Sequence, residues 1–277
     1  MARFNLAQMA RRTRNIRRSS IVLRDIVPPS ALATDLFRGS YLPIITAWTD
    51  ALPRIEAAYA RSLSEITQDS PADVRAEIDG AAAAIDRLVL LLSPAVRDWA
   101  LRVEQWQRGK WRGAVLSATG VDLQTMLGAG DVRGTLDTAI QWNVSLISDV
   151  PAQIQQRISN AVFDGLRNRT PARDVARSIR ESVDMGRARS IRIASDQLSK
   201  LTGALAEERQ REAGIEKVKY RHSGKVHPRT NHKARDGKIF YLETHAPVDG
   251  GPAVPDGDWV QQPPFCGCRT QAVIEFS

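Results

Sequence analysis

Three of the four histidines, His222, His227 and His232, fall within HSGKVHPRTNHKARDGKIF, and both cysteines, Cys266 and Cys268, fall within PPFCGCRTQAVIEF. Imidazole nitrogen and thiolate sulfur are the ligands that zinc takes in a tetrahedron. Residues i and i+2 of an extended chain share a side, so Cys266 and Cys268 can both reach one ion. His227 and His232 can complete a Cys2His2 set across the long loop between them and the cysteines. The histidine spacing is usual for zinc, while a single residue between the cysteines is tighter than usual. Zn2+ is the cofactor such a set would take, and a small domain with little core would gain folding free energy from it. Two other readings of the same residues stand beside this one. HPRTNH followed by Asp236 offers general bases and metal ligands, as in a small metal-dependent nuclease or hydrolase. Cys266 or Cys268 with His232 could form a nucleophile pair. In the other reading the cysteines are small half-buried residues and the histidines hydrogen-bond loop backbone. No oxyanion hole or substrate pocket is evident, so no residue receives a catalytic role and the chain is expected not to be an enzyme.

These residues need a scaffold, and the grammar of the chain changes just before them. From Ile215 the pattern alternates: Val218 and Tyr220 share one face of IEKVKYRH, Asp236-Gly237 marks a turn, and KIFYLE is a strand candidate. THAPVDGGPAVPDGDWVQQPP reads as a Pro/Gly loop, with His245 at the surface. RTQAVIEF closes the module as a strand, with Ala272, Ile274 and Phe276 on one side. Before residue 213 the periodicity is helical. Trp99, Val103 and Trp106 form one buried stripe. Leu136, Ile140, Val144 and Ile147 mark a second, continued by Ile154, Ile158 and Val162. Val175, Ile179 and Val183 mark a third, with Gly186 expected past its end. Ile191, Ala194, Leu198, Leu201 and Leu205 form an apolar seam that Gly214 is placed to stop. Pro43, Pro53, Pro94 and Pro151 are expected to break or kink their helices. The run LVLLL is read as helix core. The fold class is therefore α+β: a mainly helical N-terminal region followed by a small β-rich C-terminal module. The expected divisions are a basic flexible arm over residues 1–30, a helical body over 31–212 and the β module over 213–277.

The chain has 277 residues, 43% hydrophobic and 25% charged, the composition of an ordinary globular protein. Its net charge of +8 is unevenly placed. Seven of the 39 basic residues and none of the 31 acids precede Asp25, so the remainder is almost neutral. Arg11, Arg12, Arg14, Arg17 and Arg18 make the N-terminal segment a candidate contact for nucleic acid or an acidic protein surface. That segment lacks the apolar core of a signal peptide. No stretch approaches the ~20 apolar residues of a membrane span, so no membrane partner is expected. Cysteines one residue apart strain a disulfide, which favours a reducing compartment. A Gly-rich phosphate loop with its lysine is missing, so a packaging ATPase is not suggested.

The order of pieces is more specific than any one of them: RARSIRIASDQ on a helix, ERQREAGI at its end, a strand, RTNHKARDGKIF, a Pro/Gly loop and CGCRT. This order resembles the phage head morphogenesis family, the Mu F-like and SPP1 gp7-like minor head proteins, over roughly residues 130–277. The matching positions are Arg187, Ala188, Arg192, Ala194, Asp196, Gln197 and Gly214, then Arg229, His232, Gly237, Cys266, Cys268 and Arg269. The chain departs from the family pattern at YRHSGKVH and at Gly267. The resemblance implies a minor capsid protein of the virion, located in the phage head and in the bacterial host cytoplasm during assembly. It implies association with the portal protein, with contacts to the major capsid or scaffold protein, and a role in head assembly and in the packaging or ejection of DNA. Packaged DNA would be met by the basic arm, and the signature residues would hold the β module together.

Overall fold

The computed structural model describes residues 3–64, 70–226 and 229–276. The fold is α+β, with seven α-helices and four strands among the described residues. The helices are α1 (Leu6–Thr13), α2 (Ser30–Leu36), α3 (Leu42–Ser64), α4 (Ser70–Thr119), α5 (Arg133–Arg167), α6 (Ala172–Glu212) and α7 (Thr230–Ala234). The strands are β1 (Ser20–Val22), β2 (Lys217–Arg221), β3 (Ile239–Tyr241) and β4 (Arg269–Glu275). They form one antiparallel sheet in the order β1-β4-β2-β3. No helix among the described residues is long and apolar enough to cross a membrane.

The chain divides into two compact units, neither continuous in sequence. One comprises Met1–Leu32, Ala100–Ala139 and Ser195–Ser277, and the other Ala33–Trp99 and Ile140–Ala194. The expected boundaries at 30 and 212 are thus not those the packing makes, because α4, α5 and α6 each contribute residues to both units.

The second unit is all helix. Trp48, Ile55 and Tyr59 of α3, Ile154, Ile158 and Val162 of α5, and Val175, Ile179 and Val183 of α6 are buried. Tyr59 donates its hydroxyl to the Thr170 carbonyl at 2.7 Å, and Arg180 forms a two-pronged pair with Glu56. Pro53 and Pro151 lie inside continuous helices, as does Pro94 in α4. Each proline forgoes one backbone hydrogen bond, and the packed face around it keeps the helix whole. A π-helical turn, Phe37–Tyr41, precedes Pro43. Gly186 does not end a helix but sits inside α6, where a Cβ would come within 2.5 Å of Ile154 Cδ1. It is a close-approach residue rather than a stop. LVLLL is also not core throughout: Leu90 and Leu91 are 74% and 76% exposed.

The first unit holds the sheet. Val218 and Tyr220 of β2 and Ala272 and Ile274 of β4 enter its core beside Phe240, Trp259, Leu23 and Trp111. Along α6, Ala194 lies in the second unit, while Leu198, Leu201 and Leu205 are buried in the first. Ile191, the first member of the expected seam, is instead half exposed. Gly214, with φ of 68°, ends α6, and the Ile215 N–H bonds back to the Gln210 carbonyl.

The N-terminal segment expected to be a free arm is folded. Asn5 caps α1 by accepting from the Gln8 N–H at 2.9 Å, and Leu6 and Ala10 bury one face. The N–H groups of Arg3 and Phe4 bond the Glu212 carbonyl, and that of Leu6 bonds the Ala213 carbonyl. These acceptors are the oxygens that a helix end leaves unpaired. Further on, β1 pairs with β4 through Ser20↔Glu275, Ile21↔Ile274 and Val22↔Val273.

A buried ion cluster lies beneath this segment. Arg209 has no exposed surface and reaches Glu104 at 2.9 Å, Glu212 at 3.0 Å and the Gly128 carbonyl at 2.9 Å. Arg3 adds contacts to Asp131 and Glu212. Burial works against the charged form of Asp131, but Arg3, the Gly128 N–H and Arg209 outweigh it and hold the carboxyl below its usual range.

Candidate metal centre

His232 projects from α7, Cys268 immediately precedes β4 and Cys266 lies two residues earlier. The fold brings the three together, all buried, with one ligand atom of each within 4.8 Å of the others. Both sulfurs lie 3.6 Å from the same atom, His232 Nδ1. The other ring nitrogen, Nε2, is 2.9 Å from Asp258 Oδ1. Asp258 is held in turn by Arg235, which is fully buried and reaches its Oδ2 at 2.8 Å, its carbonyl at 2.9 Å and the Ala253 carbonyl at 3.1 Å. Burial opposes the charge on Asp258, yet His232 and Arg235 keep its carboxyl below the usual range. This carboxylate therefore takes the Nε2–H and leaves the Nδ1 lone pair facing the sulfurs.

The thiols are free and inequivalent. Hydrogen bonding with Cys266 brings the Cys268 thiol down to about 6. The reciprocal bond, together with burial, pushes Cys266 up. The Gln261 N–H also points at Cys266 Sγ, at 3.4 Å.

Three signature positions, Asp196, Arg229 and Arg269, brace this cluster. Asp196 of α6 accepts the Phe265 N–H at 2.7 Å, anchoring the residue before Cys266, and Lys200 pairs with the same carboxylate. Arg229 donates to the Pro264 carbonyl at 3.0 Å. Arg269 binds both oxygens of Asp25 and the Gly267 carbonyl, fixing the start of β4. Gly237, with φ of 77°, makes the turn into β3. Gln197 is buried on α6, whereas Arg187 is exposed there and belongs to the second unit. Asp236 is not part of the cluster: it accepts the His222 N–H and pairs with Arg221. His227 lies outside the described residues. His245, expected at the surface, is half-buried and stacks on Trp259 at 4.2 Å. Burial holds its imidazole below the usual range.

Asp258, Arg235 and Trp259 carry the site and do not stand out in the sequence. Asp258 sits in a Pro/Gly loop, where an acid reads as solvated, and its partners lie 23 and 26 residues away. The adjoining Trp in DGDW is the one available signal, since a large aromatic seldom stays in water.

On the other side of the sequence, Arg11, Arg12, Arg14, Arg17 and Arg18 are all exposed. Among the described residues none of the five is in an ion pair.

Residues 153–272 match the family described as phage Mu protein F like protein. A protein of Haemophilus influenzae (strain ATCC 51907 / DSM 11121 / KW20 / Rd), described as an uncharacterized protein, is 30% identical over 133 residues. That alignment covers 47% of this chain and 30% of the relative, so the chain spans about a third of the relative's length. No solved structure matches. The helix–strand–His–Cys order that carries the resemblance lies inside the matched segment, so over residues 153–272 the chain is similar to phage Mu protein F like proteins.

Proposed function

We propose that this chain is a minor capsid protein of a tailed phage or prophage, bound at the portal vertex and acting in head assembly and in the fate of packaged DNA. The observation that carries the reading is the Mu protein F-like segment over residues 153–272. Its role is structural: side chains of the signature brace a small sheet module. The portal protein is the partner, with the major capsid or scaffold protein as further contacts.

The DNA part of the reading is supported by the five unpaired guanidinium groups around the end of α1 and the turn after it. They sit on a folded support rather than on a loose tail, so less ordering entropy is lost when they meet phosphate. Such contacts position DNA without reading its sequence. Replacing Arg11, Arg12, Arg14, Arg17 and Arg18 together by Ala is expected to weaken duplex binding by roughly a hundredfold at low salt. The salt dependence should flatten by about 0.9 in slope for each phosphate that is no longer neutralised. Filter binding over a salt series measures both, and unchanged affinity and slope would remove DNA from the list of partners.

The setting is tested on particles. Purified virions from the strain that encodes the chain should contain it at low copy, and its deletion should leave heads with defective DNA retention. Particles that lack the chain, or assemble and infect normally without it, would sink the reading. Plasmid incubated with the protein and Mg2+, Mn2+ or Zn2+ should stay intact. Cleavage that a His232→Ala control lacks would replace the structural role with a nuclease.

A further inference from the structure

We propose that His232, Cys266 and Cys268 hold a Zn2+ ion through Nδ1 and two thiolates, with the fourth position of the tetrahedron taken by water from the adjoining cavity. The distances suit this ion. A tetrahedron with Zn–S of about 2.3 Å and Zn–N of about 2.05 Å has an N···S edge of about 3.6 Å, and both sulfurs stand 3.6 Å from Nδ1.

Without an ion the imidazole can serve only one of the two sulfurs. His232 Nδ1 has a single lone pair once Asp258 fixes the tautomer, so it accepts from one thiol at most. The second sulfur lies equally near and gains nothing from the ring. A cation among the three atoms satisfies all of them at once. Two thiolates and an imidazole are a soft set, which selects zinc over magnesium or calcium.

The surroundings match what a ligating histidine requires. Its other nitrogen is oriented by a carboxylate, and the carboxylate by a buried arginine. An amide N–H donates to the Cys266 sulfur. Lys225 and Arg229 bind the carbonyls of Phe265 and Pro264, which brings two cations to the mouth of the dithiolate. The cavity, of about 300 Å³, is lined by His222, Ser223, Lys225 and Arg229 beside the three ligands.

The ion's work is mechanical. α7 has five residues, and the loop that joins β3 to the cysteines has no regular element among its described residues. A metal bond from α7 to the foot of β4 clamps that loop closed, and its binding free energy becomes folding free energy. The inference is independent of where the protein assembles, since metal content is read on the purified chain.

The test uses the full chain purified under reducing conditions. Elemental analysis should find one zinc per chain, absent from Cys266→Ser, Cys268→Ser and His232→Ala. Asp258→Asn should keep the site but weaken it about 10–100-fold in a competition titration. Chelation should lower Tm in the wild type and leave the Cys266→Ser/Cys268→Ser double variant unmoved. Because that variant could fold poorly, Co2+ is titrated into stripped wild-type protein, where thiolate-to-cobalt charge transfer and tetrahedral ligand-field bands should grow to one equivalent. No zinc in the wild type together with no cobalt bands, or zinc retained by the double variant, would overturn the proposal.

Discussion

Arg209→Met should lower the stability of the sheet-bearing unit by about 3–5 kcal/mol, the usual loss when one member of a buried ion cluster is removed. Arg209 is wholly buried and serves Glu104, Glu212 and Asp131 as well as the Gly128 carbonyl. Methionine fills much of the volume, so packing loss is small and the cost comes from carboxylates stranded without a cation. Thermal unfolding should move down by on the order of 10 °C for a unit of this size. The cause is separable from the effect. Arg209→Met combined with Glu104→Leu removes a stranded charge and should recover part of the loss, whereas Arg209→Met combined with Asp131→Asn should recover less, since Asp131 keeps Arg3. A drop below about 1 kcal/mol for the single variant would mean that water reaches the cluster and screens it.

Trp259→Ala should cost about 3–5 kcal/mol, the range for emptying a large aromatic site in a core. Its ring meets Tyr220 at 5.9 Å, Phe240 at 5.6 Å and His245 at 4.2 Å, so it joins β2, β3 and the loop after β3. Phe265→Ala, six residues on in the same loop, removes a side chain that is 49% exposed and should change stability by about 0.5 kcal/mol or less. Chemical denaturation of the pair measures the contrast. Equal effects would show that the loop acts as a flexible cover and not as part of the core.

What can be read from the sequence depends on how local the signal is. Val218 and Tyr220, and Ala272 and Ile274, announce two strands because alternation is written within a few residues. Gly214 announces a helix end because only a glycine adopts its φ without strain. The two cysteines and His232 are legible as a set because few residue types do that chemistry. The rest depends on partners far along the chain. Strand β1 has three residues, too few to show alternation, and its identity comes from β4, some 250 positions away. The arginines around it read as a loose arm, since charge pattern does not reveal that Leu6 and Ala10 are buried. Pro53, Pro94 and Pro151 do not break their helices, for a related reason. A missing N–H has a local cost, while the buried side chains on either side of Pro53 that outweigh it belong to tertiary structure.

The pairing of β1 with β4 also bears on how the chain folds as it leaves the ribosome. Ser20 emerges some 255 residues before its partner Glu275, so translation must pass Glu275 before the sheet gains that edge. During that interval the segment with Arg11, Arg12, Arg14, Arg17 and Arg18 has no sheet to hold it, while helices of the second unit, encoded between, can already pack. Closing so long a loop is slow. The arginines are therefore displayed on their finished support only after synthesis of the whole sheet, a built-in delay between making the chain and making its basic surface.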